Sequence, residues 1–223
     1  LKQEHPSLYI PDGPGLPPQF AMAQLNEVMK EAKDVVVVTG VGQHQMWAAQ
    51  YLTFNRPNSF VSSGGLGAMG YEVPAALGAQ VARPKATVWS VAGDGGFQMT
   101  MQDLATIRDE QLPVKFAIFN NGYLGMVRQW QELFYNRHFK SVPIPGPDFV
   151  KLAESFNIPA LRVTEREQVL PALRRAQRHP GPFLVELVVS PHENVYPMVA
   201  PGTTLGQTIE DPRSKAKVPS GTR

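Results

Sequence analysis

Cysteine is absent from the 223 residues, so no disulfide can staple the fold. That fits a reducing compartment, such as the cytoplasm. Long hydrophobic runs are missing too: none approaches the roughly 18 residues of a membrane span. Charge of one sign is also scarce. A net charge of +2 gives no electrostatic case for nucleic acid. Basic residues do gather at Arg174, Arg175 and Arg178, and from Arg213 to Lys217, but without interleaved aromatics. A solvated helix face and a tail explain them. No secretory pattern, repeat or low-complexity block is present, and the chain opens on Leu1 rather than Met, which suggests a piece of something longer.

What is there is an alternation of apolar runs and helical patterns. The length suits one well-filled α/β domain. Residues 1–17 are rich in Pro and Gly and read as a linker or arm. Phe20, Leu25, Val28 and Met29 are spaced for one buried face of a helix over Gln19–Ala32. Val35–Val38 is a β-branched run of the kind buried on both sides of a parallel sheet. Further strands are expected near Phe60–Val61 and over 87–92, 114–119, 160–163 and 183–189. Helices are expected between them at 45–52, 72–81, 124–134, 149–156 and 165–177, with another starting near Thr100 and Asp103. Six strands with helical crossovers predict a doubly wound, six-stranded parallel sheet with helices on both faces. Residues 18–189 would form the domain, and 190–223, again Pro- and Gly-rich, a mobile arm.

Chemistry concentrates where strands end. Gly93-Asp94-Gly95 closes one apolar run, and Asn120-Asn121 closes the next after a gap of 24 residues. An acid and an amide are thus delivered to the same sheet edge. Carboxylate, amide oxygen and a nearby carbonyl are hard ligands suited to Mg²⁺ or Ca²⁺. Mg²⁺ held by so few protein groups completes its octahedron with phosphate oxygens and water, so the pair predicts a metal-bridged diphosphate. Gly40-Val41-Gly42-Gln43-His44 offers backbone N–H groups at a helix start as a phosphate cradle. It is not a dinucleotide fingerprint, because Gln45 stands where the third Gly of G-x-G-x-x-G belongs. His44 is open between a phosphate contact and a structural hydrogen bond.

The Gly-Asp-Gly and Asn-Asn elements together resemble the signature of thiamine-diphosphate enzymes. Gly42 to Trp47, Gly64 to Tyr71, Asn120 to Trp130 and Pro197-Met198-Val199 look like the large, catalytic subunit of acetohydroxyacid synthase (acetolactate synthase). The similarity runs from about Leu16 to Asp211 and corresponds to its C-terminal third.

That resemblance implies roles for particular residues. Asp94, Asn121 and the Tyr123 carbonyl would hold Mg²⁺. Val41, Gly42, Gln43, His44, Gly93, Gly95 and Gly96 would surround the diphosphate, with Gly125 and Met126 also at the cofactor. Gly67 would offer its carbonyl to the pyrimidine amino group. Met69, which the residues alone would assign to core packing, would sit beneath a bent cofactor. Met126, Val127 and Trp130 would line the substrate channel, although a Trp on an amphipathic helix can equally be buried. Arg128 and Gln129 read as a partly exposed surface beside them.

The implied reaction decarboxylates pyruvate and transfers its two-carbon unit to a second pyruvate or to 2-ketobutyrate, on the way to branched-chain amino acids. In the family a glutamate that hydrogen-bonds the pyrimidine lies in an N-terminal domain, and FAD in a middle domain. Neither domain is found in these residues, so turnover is expected to need a partner chain. Glu72, where the family often has Gly, is too far past Met69 to replace that glutamate. A homodimer or tetramer and a regulatory small subunit are further implied partners. The alternatives are another thiamine-diphosphate decarboxylase or carboligase, and a non-catalytic binding module.

Overall fold

A computed structural model describes residues 8–213. Six strands form one parallel sheet: β1 (Val35–Thr39), β2 (Phe60–Ser62), β3 (Thr87–Gly93), β4 (Lys115–Asn120), β5 (Ala160–Val163) and β6 (Phe183–Val188). Their spatial order is β2-β1-β3-β4-β6-β5. Among the described residues, eight α-helices connect and flank them: α1 (Pro18–Met29), α2 (Gln43–Tyr51), α3 (Glu72–Ala82), α4 (Asp94–Thr100), α5 (Leu104–Asp109), α6 (Gly125–Phe134), α7 (Phe149–Ser155) and α8 (Arg166–Arg178).

Period-two alternation divides the strands between two apolar layers. Val37, Trp89, Val91, Ala117, Phe119, Val185 and Leu187 face α1, α2 and α8. Val36, Val38, Val88, Phe116, Ile118 and Leu184 face α3, α5 and α7. The inner strands are therefore apolar on both sides, as the near-continuous runs predict. Successive connections wind from β1 outward to β2 and then across to β3. The reversal opens a crevice between the carboxyl ends of β1 and β3, which is where ligands settle in such sheets.

In the fold, the structure differs from the sequence reading at the helix after β3 and at both ends of the chain. The helix expected near Thr100 begins at Asp94, directly off β3, and passes through a single 3₁₀ turn at Met101–Asp103 before continuing as α5. Gly93, extended at φ −89° and ψ 154°, makes the corner. Residues 190–213 are no free arm, because Val195 and Met198 are buried and Glu193 is held by Gln19 and Arg213. Residues 214–223 of the expected arm, and 1–7 of the N-terminal one, lie outside the described residues. The leading segment also docks: Leu16 is buried and its carbonyl accepts from the Ser190 N–H at 2.9 Å.

The basic cluster on α8 is partly spent within the fold, since Arg174 and Arg178 both pair with Glu31, at 2.6 and 3.6 Å. Among the described residues, no helix is long and apolar enough to cross a membrane.

Candidate cofactor site

The loops after β1, β3 and β4 meet around a cavity of about 480 Å³. From the first come Val41, Gly42, Gln43 and His44; from the second, Gly93, Asp94, Gly95 and Gly96. The third gives Asn121, Tyr123, Gly125 and Met126, and α6 continues the wall with Val127 and Trp130. Met69 reaches the same space from the loop before α3. Of the residues singled out from sequence, Gly67 alone does not face it. Its loop turns outward, leaving Leu66 92% exposed.

Glycines are required where backbone must come close. A Cβ on Gly95 would lie 2.8 Å from the Ile144 methyl and 3.5 Å from Met69 Cε, so Met69 rests over the Gly95 backbone. A Cβ on Gly93 would lie 2.9 Å from the His44 ring. The imidazole thus packs on bare backbone at the cavity wall.

Asp94 is buried, and its Oδ2 accepts from the Gly122 N–H at 2.8 Å. The same N–H reaches Asn120 Oδ1 at 3.2 Å, and the Tyr123 N–H donates to Asn121 Oδ1 at 3.0 Å. The turn from 120 to 123 is thereby folded onto Asp94, with Gly122 at φ +69°. Burial pushes the Asp94 carboxyl up to about 6, against the backbone N–H bonds that lower it, and the Glu186 charge adds to the rise. Burial also holds His44 neutral, down to about 4, with its Nε2 lacking a hydrogen-bond partner.

Gln43 sits on the wall, yet its amide is spent inward. Its Nε2 donates to Gln129 Oε1 at 2.9 Å and to the Glu193 carbonyl at 3.0 Å, and its Oε1 accepts from Asn121 Nδ2 at 3.4 Å. The expectation that Arg128 and Gln129 are partly exposed is reversed. Gln129 is 0% exposed, clamped to the Val195 backbone, and Arg128 is buried beside Glu132 at 3.1 Å. Met198, Val199 and Pro201 close the cavity from the C-terminal segment. The Pro197-Met198-Val199 run was visible in the sequence, but its Pro and Gly neighbours look like any loop.

The cavity's composition has a counterpart among known proteins. Residues 40–187 match the family model described as thiamine pyrophosphate enzyme, C-terminal TPP binding domain. The chain belongs to this family. The chain is also 46% identical over 218 residues to acetolactate synthase 1, chloroplastic, of Oryza sativa subsp. japonica, covering 94% of this chain and 34% of that protein. It is 42% identical over 211 residues to the acetolactate synthase isozyme 2 large subunit of Escherichia coli (strain K12), covering 94% and 38%. With the acetolactate synthase large subunit IlvB1 of Mycobacterium tuberculosis it shares 44% over 211 residues, covering 92% and 34%. The chain spans about a third of the length of the curated relatives it matches.

The residues of the thiamine pyrophosphate domain fit the cofactor and a divalent cation. Asp94 is a buried carboxylate with no ion-pair partner among the described residues, and a cation would supply the missing positive charge. No cluster of three or more His, Asp or Glu forms a protein-only metal cage among the described residues. His44 Nε2 is buried without a hydrogen-bond partner among the described residues, an unmet polar atom beside the cavity that a phosphate oxygen could satisfy after a small shift of the ring.

Proposed function

We propose that this chain is the cofactor-holding part of an acetolactate synthase and binds thiamine diphosphate through Mg²⁺. The observation that carries the reading is the folding of the 120–123 turn onto buried Asp94 at the cavity wall. Asp94, Asn121 and the Tyr123 carbonyl would hold Mg²⁺. Val41 to His44, with Gly93, Gly95 and Gly96, would take the diphosphate, and Gly125 and Met126 would flank the cofactor. Met69 would support it from the side of Gly95. Gly67 is left out of the set, since it does not face the cavity.

When bound, thiamine diphosphate supplies an electron sink for decarboxylating a 2-ketoacid. The chain's own residues fix charge and access. Asp94 must be ionised to bind a cation, so metal binding weakens as pH falls through about 6. His44 stays neutral and adds no charge. Met126, Val127 and Trp130 form an apolar approach for pyruvate and 2-ketobutyrate. Around Phe134, Tyr135 and Val127 this approach continues into a second hollow of about 760 Å³, whose large apolar side chains are exposed. Exposed apolar surface beside a site suits a face covered by another domain or subunit. That supports a partner domain or second subunit over this face; the pyrimidine glutamate and FAD in partner domains, assembly as a dimer or tetramer and a regulatory small subunit rest on the family resemblance. The plant relatives are named as chloroplastic, which supports a plastid location should the source be a plant.

Calorimetric titration with thiamine diphosphate tests the reading. Binding is expected with Mg²⁺, to disappear with a chelator, and to weaken tenfold or more in Asp94→Ala. Equal binding with and without metal would overturn the metal-bridged site.

A further inference from the structure

Glu186 lies on β6, in a row whose neighbour Leu184 is core, and opposite Ile118 of β4. An apolar side chain would be ordinary there. Instead a carboxylate is buried to 2% exposure, which costs desolvation unless both oxygens are satisfied. Both are. Oε2 accepts from Arg162 Nε at 2.7 Å, and Oε1 accepts from Asn120 Nδ2 at 2.8 Å. Arg162 is itself anchored, its Nη2 donating to Asp148 Oδ1 at 2.7 Å.

Asn120 is the last residue of β4, and with Nδ2 held by Glu186 its Oδ1 points at the Gly122 N–H, 3.2 Å away. That N–H is the one shared with Asp94 Oδ2. A continuous chain of hydrogen bonds therefore runs from Arg162 through Glu186 and Asn120 to the turn that carries Asn121 and Tyr123. None of Arg162, Glu186 or Asn120 lines the cavity.

We propose that Glu186 is a positioning residue for the cation site, acting through Asn120 to set the 120–123 turn against Asp94. Direct hydrogen-bond partners of metal ligands fix ligand orientation, and their loss typically weakens metal binding 10- to 100-fold; Glu186 stands further back, acting through Asn120 and the Gly122 N–H, so its loss falls at or below the lower end of that range. The inference rests on the cofactor reading above.

The test is Mg²⁺ affinity of the full-length protein at saturating thiamine diphosphate, by calorimetry, for Glu186→Gln, Asn120→Ala, their double variant and Asp94→Ala. Glu186→Gln keeps the shape and is expected to weaken Mg²⁺ binding by up to about 10-fold, less than the loss of a direct partner of a metal ligand. Asn120→Ala should do the same, and the double variant no more than either alone, because both cut one relay. A merely structural role would lower the urea midpoint without moving Mg²⁺ affinity. Wild-type affinity in Glu186→Gln alongside a large loss in Asp94→Ala overturns the inference and leaves the cofactor reading standing. Additive losses overturn the route through Asn120. No loss in Asp94→Ala overturns the cofactor reading and the inference with it. Should Glu186→Gln fail to fold, Asn120→Ala, at the strand end, carries the same expectation.

Discussion

Glu72→Gln is expected to stabilise the fold at pH 8 by about 2.5 kcal/mol more than it does at pH 5. The Glu72 side chain is 0% exposed, and among the described residues neither carboxyl oxygen makes a well-formed hydrogen bond; only the backbone N–H groups of Glu72 and Gly70 lie near enough to oppose the effect of burial. It is wedged between two loops of the cofactor cradle: a Cβ on Gly40 would lie 2.0 Å from one oxygen, and one on Gly96 2.5 Å from the other. Burial pushes its carboxyl up from 4.5 to about 7. The folded state therefore holds a proton that the unfolded chain has released between those values. Its stabilising contribution is complete below pH 4.5 and is lost as pH rises through 7. A gap of this size corresponds to about 3 kcal/mol.

His44 works in the opposite sense: lowered from 6.5 to about 4, it adds stability as pH rises through that range. The wild-type pH profile alone is thus a sum of opposing slopes. The difference between Glu72→Gln and wild type removes His44 and leaves Glu72. Urea midpoints of both proteins at pH 5, 6, 7 and 8 supply that difference. A difference that stays flat across the series would show that Glu72 is not buried as a proton-holding acid.

The sheet was legible because its evidence is local. Val35–Val38 and the runs ending at Gly93 and Asn120 are apolar on both faces, and each ends where a glycine or amide stops it. The metal-ligand candidates followed from those ends, since parallel strands present their carboxyl ends on one side. The onset of α4 was obscured because Gly95 and Gly96, poor helix formers, open it, and what secures it is Phe97 packing edge-on to Phe116 and Phe149. Gln129 looked like surface because polarity on an amphipathic helix usually means water. Its partners, Gln43 and Val195, lie 86 and 66 residues away. Glu186 was unreadable for the same reason: Asn120, which it holds, is 66 residues distant. The resemblance to a known family supplied roles for single residues, such as Met69, that no spacing could give.

Ending the chain after Ser190 is expected to remove several kcal/mol of stability. Removal exposes the apolar area under Val195 and Met198, roughly 1.5–3 kcal/mol for each side chain. It also strands Gln129, whose Oε1 accepts from the Val195 N–H at 2.8 Å and whose Nε2 donates to the Val195 carbonyl at 3.2 Å. Gln43 loses the Glu193 carbonyl, and Gln19 loses the Glu193 carboxylate at 3.0 Å. Each buried polar group left unpaired costs about 1–3 kcal/mol. A domain's whole stability is only about 5–15 kcal/mol, so the truncated chain should sit at or near the unfolding threshold. Gln129→Ala tests the same clamp with the chain intact and should cost about 2–4 kcal/mol, through a cavity and the unpaired Val195 and Gln43 groups. Urea midpoints of both variants decide the matter. Midpoints equal to wild type would return residues 190–213 to the status of a loose arm. A large drop in both would make the C-terminal segment the roof that holds the wall of the cofactor cavity in shape.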